Sequence, residues 1–450
     1  MARPLLWLAL LCGASLTFAT TCAGIRLELT HVDAKENCTA EERMRRAAER
    51  THRRLASMGG GVTAPVRWGG ASQHIAEYLI GTPPQRAEAI VDTGSNLVWT
   101  QCSLCRPAGC FRQSLPYYDP SRSRTDRAVA CVDAACALGF ETRCGRDGRT
   151  CAVDTGYGGG DISGVLGTEA FTFQSEETVS LAFGCVTASR LVRGFLNGVS
   201  GIIGLGRGAL SLVSQLGATR FSFLNISYCL TPYLRGTIST SHLFVGAAGG
   251  GLDAGGGAAP VTTVPFAENP REAPFSTFYY LPLVGLSVGD ARLAVPATAF
   301  ALRQVAPGVW AGGALIDSGA PFTLLVDAAY RAVRAELVRQ LGGGVVPPRT
   351  EGWDLCVARG DAGRLVPPLV LHFGGSGGGD LVVPPENYWG PADDATDCMA
   401  LLSSEALNAT TLPLMKETTI IGNYMQQDMH LLYDLDKGVL SFQPADCSSV

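Results

Sequence analysis

Apolar residues along this 450-residue chain occur mostly in short runs that are interrupted by glycine and proline. The chain has 55 glycines and 25 prolines, and both residue types interrupt helices and favour turns. This pattern predicts many short β-strands joined by tight turns and argues against long helices. Three stretches depart from it: an apolar run at 5–19, a charged stretch at 39–57, and a glycine- and alanine-rich stretch at 246–260 that predicts a loop.

The apolar run from Leu5 to Ala19 predicts a secretory signal peptide. It follows a short basic start and precedes small residues, which place the expected cleavage between residues 19 and 23. The run is shorter than the ~20 apolar residues that a membrane-spanning helix needs. We therefore expect residues 1–23 to be removed and the remaining chain to be secreted, with no membrane attachment.

The residues that follow, 24–67, differ from the rest of the chain in charge and are called the leader below. They contain nine Lys or Arg against six acidic residues, so the leader carries +3 while residues 68–450 carry −9. Thr39 to Ser57 predicts a helix, with Thr39 as its cap and acidic residues in the first turn. A basic leader before an acidic body predicts a removable pro-segment, held by charge and released as acids are protonated. A solvated surface helix is the alternative.

Composition narrows the class of protein further. Charged residues make up 17% and hydrophobic residues 46%, which excludes a disordered chain, and the net charge of −5 excludes a dedicated nucleic-acid binder. Fifteen cysteines indicate an oxidising compartment. Loss of the signal and the leader leaves twelve, an even number. A zinc site at Cys102 and Cys105 is the alternative, but no second Cys pair or His pair completes it, so no metal and no other cofactor is expected.

A repeat carries the candidate chemistry. Ala89-Ile-Val-Asp-Thr-Gly-Ser95 resembles Ala314-Leu-Ile-Asp-Ser-Gly-Ala320, and each segment places an aspartate after an apolar, strand-like run. Each is followed by an Ile-Ile-Gly segment at a similar distance, Gly201–Gly204 in the first case and Thr419–Gly422 in the second. Two such matches predict two homologous lobes.

Two facing aspartates have a defined chemistry. Two carboxylates held close together cannot both ionise easily, so the pair shares one proton. One member then acts as a general base on water while the other donates a hydrogen bond to a substrate carbonyl. The repeat thus predicts peptide hydrolysis by Asp92 and Asp317 without a covalent intermediate.

These segments resemble the pepsin-type aspartic proteases, specifically their nepenthesin-like branch in plants. The resemblance extends from about Ile75 to Cys447 and includes residues 78–84, 92–101, 201–216, 420–424 and 433–434. It implies an all-β, bilobal, pepsin-like acid protease fold with lobes at 68–272 and 273–450 and a cleft between them. It also implies a monomeric endopeptidase of the apoplast, made as a zymogen, that acts on polypeptides at acidic pH and binds pepstatin-type inhibitors.

The resemblance assigns roles to individual residues. Asp92 and Asp317 match the catalytic pair. Thr93 and Ser318 match the hydroxyls that bond across the lobes, while Ser95, Gly94 and Gly319 match the supporting loop residues. Tyr157 matches the tyrosine of the flap hairpin, and Trp99 matches its indole partner.

The twelve remaining cysteines also fit this branch. The resemblance implies the pairs Cys102–Cys105, Cys110–Cys185, Cys131–Cys151, Cys136–Cys144, Cys229–Cys447 and Cys356–Cys398, although the sequence alone cannot decide connectivity. Asn37, Asn225 and Asn408 begin sequons, and a glycan is expected at the latter two.

Departures from the family pattern keep a second hypothesis open. Ala320 and Pro321 stand where a hydroxyl residue usually follows the second Asp-Ser-Gly, and Gly159 stands where the flap usually has an acid. A carboxylate that loses a hydrogen bond to its charged form is easier to protonate. We therefore expect the acidic limb of the pH–rate profile to lie at higher pH than in a relative with Thr at this position. The alternative function is a non-catalytic relative that binds or inhibits a secreted glycosidase.

Overall fold

The computed structural model describes residues 24–35, 38–56, 73–105, 109–157, 160–173, 178–191, 195–219, 224–232, 234, 240–246, 252, 260–406 and 413–449. The predicted signal peptide, most of the predicted loop at 246–260, the sequons at Asn37 and Asn408, and Gly159 lie outside these residues. Short strands dominate, as the interrupted apolar pattern predicts.

The first half of the chain contributes twelve strands to one extended sheet. They are β1 (Gly24–His31), β2 (His74–Ile80), β3 (Gln85–Asp92), β4 (Val98–Gln101), β5 (Arg127–Ala128), β6 (Thr142–Cys144), β7 (Cys151–Tyr157), β8 (Gly160–Thr172), β9 (Thr178–Leu191), β10 (Gly201–Gly204), β11 (Asn225–Cys229) and β12 (Ser241–Gly246). Two helices accompany them, α1 (Ala40–Ala56) and α2 (Leu212–Thr219).

In the described ranges, the second half contributes eighteen strands, most of which form four smaller sheets. Its strands are β13 (Thr262–Pro265), β14 (Tyr280–Leu281), β15 (Leu283–Val288), β16 (Ala291–Arg292), β17 (Arg303–Ala306), β18 (Val309–Ala311), β19 (Ala314–Asp317), β20 (Thr323–Leu325), β21 (Val345–Val346), β22 (Cys356–Ala358), β23 (Leu369–Phe373), β24 (Asp380–Val383), β25 (Trp389–Pro391), β26 (Thr396–Met399), β27 (Leu401–Ser403), β28 (Thr419–Gly422), β29 (Met429–Asp434) and β30 (Val439–Pro444). The helices α3 (Asp327–Leu341) and α4 (Ala362–Leu365) pack beside them.

The last strands of the chain cross back and join the first sheet. β29 pairs with β11, β30 pairs with β29, and β13 closes this edge against β30. One sheet therefore contains strands from both halves of the chain, and one apolar cluster extends from Ile25 at its start to Phe442 near its end. The fold is the mostly-β, bilobal arrangement that the sequence predicts.

The first strand of the leader, β1, lies in the middle of this sheet. β1 lies between β12 and β2 and pairs antiparallel with both, and its alternate residues Ile25, Leu27 and Leu29 are buried. Because a central strand satisfies its backbone hydrogen bonds on both sides, removal of β1 would expose two strand edges.

Helix α1 confirms the helix predicted from the leader sequence. The Thr39 hydroxyl accepts a hydrogen bond from the backbone N–H of Glu42 at 3.2 Å, so Thr39 caps the helix. The helix packs on the second half: buried Met44 joins an apolar cluster with Phe322 and Tyr424. It is held by charge as well as by apolar contact, since Arg359 donates to Glu41 at 2.6 Å.

The twelve cysteines from Cys102 to Cys447 form six disulfides. Two predicted pairs, Cys229–Cys447 and Cys356–Cys398, are present. The other four predicted pairs, Cys102–Cys105, Cys110–Cys185, Cys131–Cys151 and Cys136–Cys144, are wrong, and the structure has Cys102–Cys185, Cys105–Cys110, Cys131–Cys144 and Cys136–Cys151 instead.

Strand pairing and burial explain the corrections. β4 and β9 are parallel neighbours, and they bring Cys102 beside Cys185 with their Cα atoms 5.4 Å apart. Among the four cysteines between residues 131 and 151, Cys136 and Cys151 are both buried and bond to each other. The exposed Cys144 bonds to the half-buried Cys131. Sequence spacing contains neither kind of information.

Candidate active site

The two repeated aspartates end equivalent strands. β3 runs parallel to β10, with Asp92 opposite Gly204, and β19 runs parallel to β28, with Asp317 opposite Gly422. The Ile-Ile-Gly segments thus form the strands beside which each aspartate-bearing loop begins. A glycine at these positions lets the backbones approach, because a Cβ on Gly204 would lie 2.2 Å from the carbonyl carbon of Asn96.

Both carboxyl groups are buried, and the carboxyl group of Asp317 lies against the loop that carries Asp92. Both aspartates are 2% exposed. Asp92 Oδ1 accepts from the backbone N–H of Gly94 at 3.0 Å, and Asp317 Oδ1 accepts from the N–H of Gly319 at 2.8 Å. A Cβ on Gly94 would lie only 2.7 Å from Asp317 Oδ2, so the first loop touches the second carboxyl and needs glycine there.

Hydroxyl groups hold the two loops together. Thr93 Oγ1 accepts from the N–H of Ser318 at 2.8 Å, and Ser318 Oγ accepts from the N–H of Thr93 at 3.0 Å. Ser318 Oγ also donates to the carbonyl of Val91 at 3.2 Å. These crossed bonds fix the separation of the two aspartate-bearing loops.

The two loops differ in one donor. Ser95 Oγ donates to Asp92 Oδ2 at 2.7 Å. The equivalent position in the second loop is Ala320, which is fully buried and has no hydroxyl to donate. Its backbone carbonyl accepts from the N–H of Asn423 at 2.7 Å, so the alanine keeps the loop's position without supplying the side-chain bond.

Tyr157 and Trp99 meet at the flap. Tyr157 ends β7, the first strand of the flap hairpin formed by β7 and β8, and the Trp99 indole N–H donates to its phenol oxygen at 2.7 Å. Burial raises the pKa of Tyr157 well above its usual value, the charge of Asp92 raises it further, and the hydrogen bond from Trp99 opposes both. The phenol therefore stays neutral and keeps a proton to donate.

A buried polar network beneath Asp317 was not predicted from the sequence. Gln426 Nε2 donates to the carbonyl of Ile421 at 2.8 Å, and Tyr228 donates to Gln426 Oε1 at 2.6 Å. The Tyr228 and Tyr433 hydroxyls lie 2.6 Å apart. Tyr228 on β11 and Tyr433 on β29 thus support the strand beside Asp317 through Gln426.

The sequence analysis missed two further residues at the site. Asn96 adjoins the loop that carries Asp92, and Gln73 adjoins the loop that carries Asp317. Asn96, which follows Ser95, donates to the buried carboxylate of Glu141 at 2.9 Å. Gln73 Nε2 donates to the carbonyl of Gly319 at 3.3 Å. Within the described residues, His, Cys, Asp and Glu side chains form no cluster suited to a metal ion.

Two aspartates end equivalent strands, one in each half of the chain, and crossed hydroxyl bonds join the loops that carry them. This arrangement defines the pepsin-type class of two-lobed proteins. Two family models, described as xylanase inhibitor N-terminal and xylanase inhibitor C-terminal, match residues 74–247 and 278–444. Aspartic proteinase nepenthesin-1 of Nepenthes gracilis is 36% identical over 436 residues, covering 95% of this chain and 91% of the relative. Nepenthesin-2 of the same plant is 34% identical, with coverage of 95% and 91%. This chain belongs to the nepenthesin-like branch of the plant pepsin-type aspartic proteases.

Solved structures agree on the fold. Basic 7S globulin from soybean matches with a TM-score of 0.65 at 16% identity, covering 95% of this chain and 98% of the globulin chain. Conglutin gamma from lupine seeds matches with a TM-score of 0.65, covering 94% and 95% of the two chains. At this identity the likeness concerns the fold alone. Among the described helices, none is long and apolar enough to span a membrane.

Proposed function

We propose that this chain is a secreted aspartic endopeptidase that cleaves polypeptides by water attack at Asp92 and Asp317. The observation that carries the proposal is the contact between the two aspartate-bearing loops, with Gly94 against the Asp317 carboxyl group and the Thr93–Ser318 bonds between the loops. Two carboxyl groups brought together on such loops share a proton, so one is available as a base and the other as a donor.

The chemistry then follows from the positions of the groups. The ionised aspartate takes a proton from a water molecule as the water oxygen attacks the substrate carbonyl, and the protonated aspartate hydrogen-bonds the developing oxyanion. Collapse of the tetrahedral intermediate breaks the C–N bond and transfers a proton to the amine. Tyr157, neutral and hydrogen-bonded by Trp99, closes the flap over an extended substrate that adds as a strand.

The leader supports a zymogen. β1 fills the sheet between β2 and β12, and the N–H of Val32 donates to the carbonyl of Gln73 at 2.9 Å. Gln73 in turn contacts Gly319 beside Asp317, so the leader reaches the catalytic loop through one residue. We propose the segments deduced from the sequence: signal 1–23, pro-segment 24–67, and lobes 68–272 and 273–450.

The signal-like residues 5–19 and the six disulfides support secretion, because such bonds persist in an oxidising compartment. We place the mature enzyme in the apoplast as a monomer active at acidic pH. We propose glycans at Asn225 and Asn408. Asn225 lies half-buried at the start of β11, and Asn408 lies outside the residues that the structure describes.

The function is tested by acidifying the purified full chain and incubating it with denatured globin, with and without pepstatin. Cleavage that pepstatin blocks supports the proposal, and sequencing of the products gives the side-chain preference.

A second candidate function is inhibition of a secreted glycosidase, which the absent hydroxyl at Ala320 and the descriptions of the family models favour. That function is supported if the chain cleaves nothing but lowers the activity of a purified xylanase.

A further inference from the structure

A third buried carboxyl group lies beside the candidate active site. Glu141 is 4% exposed and precedes β6 in the disulfide-rich segment of the first half. Its Oε1 accepts a hydrogen bond from Asn96 Nδ2 at 2.9 Å. Asn96, the donor to Glu141, directly follows Ser95, whose hydroxyl donates to Asp92.

Asn96, which donates to Glu141, also connects the Asp92 loop to the turn that follows β10. Its Oδ1 accepts from the backbone N–H of Gly208 at 2.8 Å, and its Nδ2 also lies 3.3 Å from Thr277 Oγ1. The glycine-rich turn after β10 packs around this amide: a Cβ on Gly206 or Gly208 would lie 2.5 Å from an Asn96 side-chain atom. An Asn96 side chain out of place would therefore shift the catalytic loop and the turn together.

Glu141 also borders the flap hairpin. Its backbone carbonyl accepts from the N–H of Asp154 on β7 at 2.9 Å. Its charge raises the pKa of Tyr157, after the larger effects of burial and Asp92. The disulfides Cys131–Cys144 and Cys136–Cys151 enclose this stretch and fix it to β7.

We propose that ionised Glu141 is a positioning residue that anchors Asn96, and through it the Asp92 loop, to the base of the flap hairpin. A hydrogen bond to an ionised acceptor is roughly twice as strong as one to a neutral acceptor. The anchor therefore weakens when Glu141 is protonated. The expected effect on kcat/KM rests on the proposed protease function. The expected effect on the position of the Asp92 loop does not.

The pH range of this effect follows from the surroundings of Glu141. Burial raises the pKa of Glu141 above its usual value, while the hydrogen bond from Asn96 opposes the shift. The nearby titratable groups are Tyr157 on the flap hairpin and Asp92, since the charges of both Asp92 and Glu141 raise the pKa of Tyr157. Arg143, two residues along the chain, pairs instead with Asp154 at 2.5 Å on the exposed side. The anchor thus weakens at a higher pH than the protonation of an exposed glutamate would give.

The test compares Glu141→Gln with Glu169→Gln. Glu169 is a matched control: it is also buried, and it accepts from Tyr118 at 2.5 Å, away from the catalytic loops. At pH values above the pKa of Glu141, Glu141→Gln should lower kcat/KM about five-fold, the factor expected when a charged acceptor becomes neutral. At lower pH, where the wild-type carboxyl is itself neutral, the two enzymes should converge.

Hydrogen exchange of the Gly208 amide in the full chain supplies a readout that needs no activity. Exchange should be faster in Glu141→Gln than in wild type above the pKa of Glu141, equal to it below, and unchanged in Glu169→Gln. A deficit in kcat/KM that is the same at every pH, or exchange at Gly208 that does not respond to Glu141→Gln, would overturn the proposal. If wild type cleaves nothing, the protease function fails while the exchange measurement still decides the anchor.

Discussion

Thr93 and Ser318 exchange hydrogen bonds across the two catalytic loops, each hydroxyl oxygen accepting from the backbone N–H of the other residue. All four groups are buried, so loss of one hydroxyl leaves an N–H with no partner. This reciprocity joins the halves of the chain at the point where their aspartates meet.

Replacing Ser318 with Ala should therefore destabilise the protein and misplace the carboxyls. An unsatisfied buried N–H costs about 1–3 kcal/mol, and a similar loss in the transition state lowers kcat roughly ten-fold. Chemical unfolding and kcat measure the two effects. Thr263→Val is the control, because the Thr263 hydroxyl pairs with Ser441 at a sheet edge and holds no backbone N–H. Equal behaviour of the two variants would refute the role of the crossed bonds.

The donor asymmetry between Ser95 and Ala320 predicts opposite shifts of the acidic limb of the pH–rate profile. Ser95→Ala removes a hydrogen bond to the charged form of Asp92 and should move the limb to higher pH. Ala320→Ser supplies the missing hydroxyl and should move it to lower pH. Each shift should be roughly 0.5–1 pH unit, the size of one such hydrogen bond. Shifts in the same direction would contradict this account.

The Trp99–Tyr157 bond should act as a unit in substrate binding. Trp99→Phe and Tyr157→Phe each break it, and each should lower kcat/KM by up to about ten-fold, mainly through KM for long peptides. The double variant should be little worse than either single one, as expected for coupled residues. Trp310→Phe, which breaks an indole bond to Glu272 outside the site, is the control. Additive losses would show that the two residues work separately.

His74 should make release of the leader depend on pH. It lies opposite His31 of β1, with ring centroids 5.4 Å apart, and burial lowers its pKa to about 4. Once β1 leaves, His74 would regain a pKa near ~6.5. The released state then binds more protons between these values, so release is favoured as the pH falls from about 6.5 to 4 and gains nothing further below.

The measurement uses chains with Asp92→Asn, so that no self-cleavage occurs, and follows hydrogen exchange of β1 against pH. His74→Phe, which cannot be protonated, should retain β1 to lower pH than the parent. The matched control is His430→Phe: His430 is equally buried and has a lowered pKa, but it lies on β29, away from the leader. A shift of β1 release by His430→Phe and not by His74→Phe would be the contrary result.

Sequence reasoning predicted the parts of the fold that local pattern encodes. An acid after an apolar run, repeated with its Ile-Ile-Gly partner, locates both catalytic loops because each strand pair is built in the same way. The disulfide between Cys102 and Cys185 could not be predicted from local pattern, since parallel pairing of β4 and β9 brings residues 83 apart together. The family resemblance gave the correct partners for two of the six disulfides and wrong partners for the other four.

Residues that act through tertiary contact had no sequence signal. Glu141 is one acid in a cysteine-rich stretch, and only the fold shows that it reaches Asn96. The leader's charge was visible in the sequence, but the insertion of β1 as a central strand was not, because strand order in a sheet is set by contacts distant along the chain.

The central claim, catalysis by Asp92 and Asp317, is tested most directly by cleavage of denatured globin by acidified wild type, Asp92→Asn, Asp317→Asn and Asp380→Asn. Asp380 is exposed on β24, where it pairs with His372. We expect pepstatin-sensitive cleavage by wild type and Asp380→Asn, and a loss of roughly 10²–10⁴-fold in each of the other two variants, since each removes one half of the acid–base pair. Cleavage by Asp92→Asn or Asp317→Asn at the wild-type rate, or none by wild type, would contradict the claim.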